Sequence, residues 1–147
     1  MLRRLAVATQ LPLALDFPII QAPMAGVQDS ALAIAVSNAG GLGSLPAAML
    51  SPEALRAQLQ KIATGTTRPY NVNFFCHRPP PADAAREQRW RTLLAPYYRE
   101  FGIDPALIES GPGRLPFSEE TADVLADFEP PVVSFHFGLP EPALLAR

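Results

Sequence analysis

The sequence has one cysteine, two histidines and few charges for its 147 residues. Cys76 has no second cysteine to form an internal disulfide with. One thiol and two imidazoles are too small a ligand set for a structural zinc site, so no metal is expected. Charged residues make up 18% of the chain, against a usual share of roughly 25%, and apolar residues make up 48%. That balance excludes disorder driven by charge and low hydrophobicity. The net charge of −2 leaves no basic excess, which argues against nucleic acid or an anionic membrane as partner. No apolar run reaches the roughly 18 residues of a membrane span. Met1-Leu2-Arg3-Arg4-Leu5 resembles the start of a signal peptide. However, Gln10, Pro12 and Asp16 interrupt the apolar stretch and no small-residue cleavage site follows. The expectation is a cytoplasmic protein with Cys76 reduced.

What is abundant is proline, 17 residues, about twice the usual share of roughly 5%. The prolines punctuate a regular alternation. Phe17 to Ala22 (FPIIQA) is a short run of β-formers, predicted as a strand that Pro23 ends. Asp29 or Ser30 caps a predicted helix over 31–39, with Gly40 as its left-handed stop. Gly41 to Leu45 is a second predicted strand, closed by Pro46. Ser51-Pro52-Glu53 opens a helix that runs to about Thr64. Tyr70 to Phe75 (YNVNFF) is a third strand, with Tyr70, Val72 and Phe74 on one face and Asn71 and Asn73 on the other. A helix is predicted over 82–101, breaking near Pro96. Shorter helices are predicted at Asp104-Pro105 and Ser118-Glu119-Glu120, with Gly111-Pro112-Gly113 as a loop between them. Val132 to Phe137 is a fourth strand, its faces being Val133, Phe135, Phe137 and Val132, Ser134, His136. A further helix begins near Pro142. Strands separated by helical crossovers predict a parallel α/β sheet. An open doubly wound sheet and a (β/α)8 barrel both fit that order, and a barrel takes about 250 residues.

Asn38-Ala39-Gly40-Gly41-Leu42-Gly43-Ser44 is glycine-rich, but it follows a helix and opens a strand. A dinucleotide fingerprint requires the reverse, so these glycines are read as a helix stop and a tight strand start. Pro23-Met24-Ala25-Gly26 lies just past the first strand, where α/β proteins bind ligands. Its small residues let a backbone approach a flat ring. Asn73, at the end of its strand and facing inward, carries an amide that both donates and accepts, which suits a ring with adjacent C=O and N–H groups. Asn71 lies one layer deeper and is read as structural. His136 shares its face with Ser134 and its end of the sheet with Asn73. Cys76 and His77 are adjacent, so a strand or turn aims them apart, and Cys76 is read as a small buried hydrophobe.

PIIQAPMAG (18–26), LAIAVSNAGGLGSL (32–45), RPYNVNFFCHRP (68–79) and VVSFHFGLP (132–140) together resemble the nitronate monooxygenases, formerly 2-nitropropane dioxygenases, of the bacterial class I type. The resemblance implies the N-terminal part, about four βα units, of an FMN-dependent (β/α)8 TIM barrel. Such enzymes oxidise alkyl nitronates with O2 to carbonyl compounds and nitrite. Ala22, Pro23 and Met24 match the segment beside the flavin ring, Asn73 matches a flavin-contacting asparagine, and His136 matches a histidine near the reaction chamber. The family's principal histidine and the barrel's phosphate cup fall beyond Arg147. Residues 1–147 are therefore expected to be a truncated N-terminal portion. Its expected partners are a nitronate, O2, and either a second copy or the missing C-terminal half. Two alternatives remain open: a non-catalytic half-barrel, or a piece of an FMN-dependent enoyl-acyl-carrier reductase.

Overall fold

Glycine and serine set how closely the first helix approaches the sheet. The computed structural model describes residues 13–79, 81, 83–108 and 114–147. The signal-like start, Ala82 and the Gly111-Pro112-Gly113 loop lie outside them. Helix α1 (Ser30–Asn38) is capped by Asp29, whose carboxylate accepts from the Ala31 N–H. It buries only small residues, Ser30, Ala33 and Ser37. Strand β1 (Gly43–Pro46) starts directly beneath it. A Cβ on Gly43 would sit 1.9 Å from the Ala33 carbonyl oxygen. Ser37 Oγ accepts from the Gly43 N–H at 3.2 Å and donates to the Pro69 carbonyl at 2.9 Å. Gly40, at φ +94°, reverses the chain between the two elements. The glycine cluster therefore serves packing. Gly43→Ala, which would force backbone against backbone, is expected to cost about 3 kcal/mol or more. A drop in thermal midpoint and in soluble yield would show it, and an unchanged midpoint would contradict this packing.

Helix α2 (Pro52–Gly65), capped by Ser51, buries Leu55, Leu59 and Ile62 along one stripe. Strand β2 (Tyr70–Phe75) is followed by helix α3 (Ala84–Glu100), a 3-10 turn (Pro105–Leu107) and helix α4 (Glu119–Ala126). Ser118 and Thr121 cap α4 reciprocally. Strand β3 (Val132–His136) and helix α5 (Pro142–Leu145) complete the order. The predicted break at Pro96 does not occur, and α3 runs through it. No residue of the helix is buried, and Thr92 and Pro96 are exposed, so water can satisfy the Thr92 carbonyl that proline leaves unpaired. Among the described residues no helix is long and apolar enough to cross a membrane.

The three strands form a parallel sheet in the order β1-β2-β3. The predicted first strand is reduced to one bridge, Ile20 to Leu42, beside β1. Its ladder is Leu42 N–H to the Ile19 carbonyl and Gln21 N–H to the Leu42 carbonyl. Pro18 and Pro23 remove donors at either end, and among the described residues the segment has a strand neighbour on one side only. With that bridge, spatial order follows chain order. It lacks the reversal of a doubly wound sheet and has the progression of a barrel wall.

Parallel register puts Leu45, Val72 and Val133 in one row and Phe74 with Phe135 in the next. These pack against Leu55, Leu59, Ile62, Val124 and Leu125 of α2 and α4 to form the core. Six of the core side chains (Leu45, Leu55, Leu59, Ile62, Val72, Phe74) are at most 2% exposed, each worth roughly 1.5–3 kcal/mol of burial. The opposite, inner face carries the rows Ser44, Asn71, Val132; Pro46, Asn73, Ser134; and Phe75, His136.

Candidate active site

Strand alternation alone sends Asn71 and Asn73 to the inner face, and the parallel register then brings strand-β3 groups beside them. Both asparagines are buried, at 4% and 3% exposure, so both amides require partners. Asn71 Nδ2 donates to Ser44 Oγ at 3.1 Å. Asn73 Nδ2 donates to Ser134 Oγ at 2.8 Å and to the Ser134 carbonyl at 3.2 Å. Asn73 Oδ1 lies 3.1 Å from His136 Nδ1. Asn73 and His136, expected only to share one end of the sheet, are joined by a direct hydrogen bond. Its corollary was not anticipated: both Nδ2 protons of Asn73 are spent on Ser134. For a ligand, Asn73 keeps only the second lone pair of Oδ1.

His136 stands at the exposed rim of β3. Its carbonyl accepts from the Cys76 N–H at 2.8 Å, which continues the strand ladder past Phe75. Phe75 meets the His136 ring edge-on, with centroids 6.0 Å apart. The chain then leaves through Phe137 at φ +67° and Gly138 at φ +113°. A left-handed phenylalanine is strained by roughly 1–3 kcal/mol, and this one sits directly beside the candidate site. The predicted fourth strand ends one residue early for that reason. Cys76 is half-buried, and burial pushes its thiol pKa up. It is not an activated nucleophile. His77 lies against Phe75 and Phe137 at 6.2 and 6.4 Å.

Ala22, Pro23, Met24 and Ala25 run past the C-terminal end of β1. A cavity of about 540 Å³ opens there, lined by Gly26, Gln28, Pro46 and Met49 among others. Among the described residues nothing accepts from the backbone N–H of Ala22, Met24 or Ala25. Gln28 Nε2 donates to the Ala22 carbonyl at 3.2 Å, tying this segment to α1's start. Gln21 brackets Ser44, donating to its carbonyl and accepting from its N–H, both at 3.2 Å. Two buried acceptors, Gln28 Oε1 and Asn71 Oδ1, have no donor among the described residues. Gln21, Gln28 and Ser44 were missed from sequence. Each looked like an ordinary polar residue, and only pairing across 16 to 27 positions brings them together.

The donor set fits a flavin ring. Backbone N–H groups of Ala22 and Met24 without acceptors, together with amide oxygens without donors, among the described residues, suit a flat edge that presents both C=O and N–H groups. The phosphate end is different: β1, β2 and β3 contain no lysine or arginine, so no strand residue balances a phosphate. Among the described residues no cluster of metal-ligating side chains exists.

Comparison with known proteins bears on the same residues. The family model described as nitronate monooxygenase matches residues 9–147. A nitronate monooxygenase of Paraburkholderia phytofirmans is 44% identical over 142 residues, covering 92% of this chain and 37% of that protein. One from Pseudomonas aeruginosa is 46% identical over 130 residues, covering 87% and 37%. The nitroalkane oxidase of Streptomyces ansochromogenes superposes with a TM-score of 0.75 at 34% identity, over 90% of this chain and 37% of its own. The chain thus spans little more than a third of these relatives, and its sheet is the N-terminal part of a (β/α)8 barrel wall. The family match takes in the Pro23-Met24 turn, the two asparagines and His136 in a single stretch, and the chain belongs to the nitronate monooxygenase family of oxidoreductases.

Proposed function

We propose that residues 1–147 are the N-terminal portion of an FMN-dependent, cytoplasmic nitronate monooxygenase and that their inner face holds the flavin ring. The reaction is oxidation of an alkyl nitronate with O2 to a carbonyl compound and nitrite. The observation that supports this most is the inner face itself. Backbone N–H groups of Ala22 and Met24 that have no acceptor among the described residues, the buried Asn73 amide and the rim histidine it bonds gather toward the C-terminal end of a parallel sheet.

Bound FMN would supply the electron-accepting ring. The chain's own residues bind and orient. Ala22 and Met24 offer N–H groups to the ring's acceptor edge, and Pro23 between them stiffens the turn. Asn73 offers the remaining lone pair of Oδ1. His136, at the rim, faces the space where a nitronate would lie over the ring. The reading assigns the phosphate to the loops after strands seven and eight of the complete barrel.

Joining residues 1–147 to the C-terminal portion of the P. aeruginosa relative tests the reading. The fusion is expected to purify yellow and to release nitrite from the nitronate of 2-nitropropane as oxygen is consumed. A yellow fusion that releases no nitrite but reduces an enoyl thioester with a nicotinamide cofactor would transfer the chain to the reductase reading. A colourless, folded fusion would refute flavin binding.

A further inference from the structure

We infer that Asn73 is a positioning residue that fixes which nitrogen of His136 faces the substrate, a role that deepens the reading above and rests on it for the word substrate. The Ser134 carbonyl can only accept, so the Asn73 group 3.2 Å from it must be the NH2. That settles the amide orientation without reference to the histidine. Oδ1 then points at His136 Nδ1, 3.1 Å away. An amide oxygen can only accept, so Nδ1 carries the proton.

The backbone holds the pair in place. Phe75 is opposite His136 in the register, and the Cys76 N–H binds the His136 carbonyl at 2.8 Å. The ring cannot swing away without leaving the Phe75 edge contact. In its neutral form His136 therefore presents a bare Nε2 lone pair at the rim. Doubly protonated, it donates Nε2–H there while Asn73 keeps the Nδ1 proton. In both forms Nε2, never Nδ1, meets the substrate.

The tautomer can be read without flavin and without turnover. The chain has two histidines, so 15N-histidine labelling with His77→Gln leaves a single imidazole to observe. Magic-angle-spinning spectra apply whether or not the chain self-associates. In the neutral ring, Nδ1 is expected to resonate as N–H and Nε2 as unprotonated. Ser134→Ala should leave this pattern intact, because the Ser134 carbonyl still orients the amide. Asn73→Ala should reduce the Nδ1–H signal to a minority. If Asn73→Ala fails to fold, the parent chain and Ser134→Ala decide the matter. Nε2–H in the parent, comparable amounts of both tautomers, or an Asn73→Ala spectrum like the parent's would each overturn the inference. None of these results bears on whether the fusion binds FMN, so the two readings fail separately.

Discussion

His136→Ala in the fusion enzyme is expected to stay yellow and to lose nitronate turnover by about 10- to 100-fold. The range corresponds to roughly 1.5–3 kcal/mol, the worth of one hydrogen bond to a charged group. The separation of effects follows from placement. His136 stands at the exposed rim of β3, whereas the groups proposed for the flavin edge belong to other elements, the Ala22 and Met24 backbone N–H groups and Asn73 of β2. Removing the imidazole leaves those donors and acceptors in place. Asn73 loses its only contact with the ring but keeps both bonds to Ser134, so the inner face is not expected to rearrange. The measurements are flavin content per chain and kcat/KM for the nitronate per bound flavin. Loss of FMN with unchanged activity per flavin would move His136 into the cofactor site and refute the assignment.

The 147-residue polypeptide by itself is expected to self-associate and to purify colourless. Strand β3 has β2 on one side and no strand on the other among the described residues. At the opposite edge Ile19 and Ile20 are 59% and 57% exposed. Parallel sheets are normally covered on both faces, and open edges invite pairing with another copy. On α3, Trp90, Leu93 and Tyr97, with Phe101 at its C-cap, are exposed and recur at helical spacing, which adds a second apolar surface. The strands also lack a cation for the flavin phosphate. Gel filtration should place the chain ahead of a monomer, with no absorbance in the flavin bands. A monodisperse monomer with stoichiometric FMN would mean that the chain is a complete small flavin fold.

Much of this was legible in the residues because the physics is local. Tyr70-Asn71-Val72-Asn73-Phe74 alternates with the strand period, and the structure puts the apolar set in the core and both asparagines on the inner face. Ser51 and Ser118 cap the helices they precede. Asp29 and Ser30 both looked competent to cap α1, and the carboxylate does so. The failures were non-local. Phe17 to Ala22 has a strand's composition, but a strand needs a ladder, and only Leu42 supplies one. Ser44 looked like the end of a glycine run, and its brackets by Gln21 and Gln28 depend on pairing with distant positions. The bond between Asn73 and His136 spans 63 positions. Period-two patterning put both on inner faces at the same end, but only the parallel register, with Phe75 opposite His136, brings them within reach.

Hydrogen–deuterium exchange of the fusion, with and without FMN, tests most directly whether the inner face is the flavin site. Amides accept deuterium more slowly once they are bonded and covered. Those of Ala22, Met24 and Ala25 lack acceptors among the described residues, so FMN is expected to slow them markedly, together with the C-terminal end of β2. The exposed helix α3 should exchange at the same rate in both samples. Protection absent from 22–25 and found instead on the α4 side of the sheet, around Phe117 and Leu125, would contradict the account.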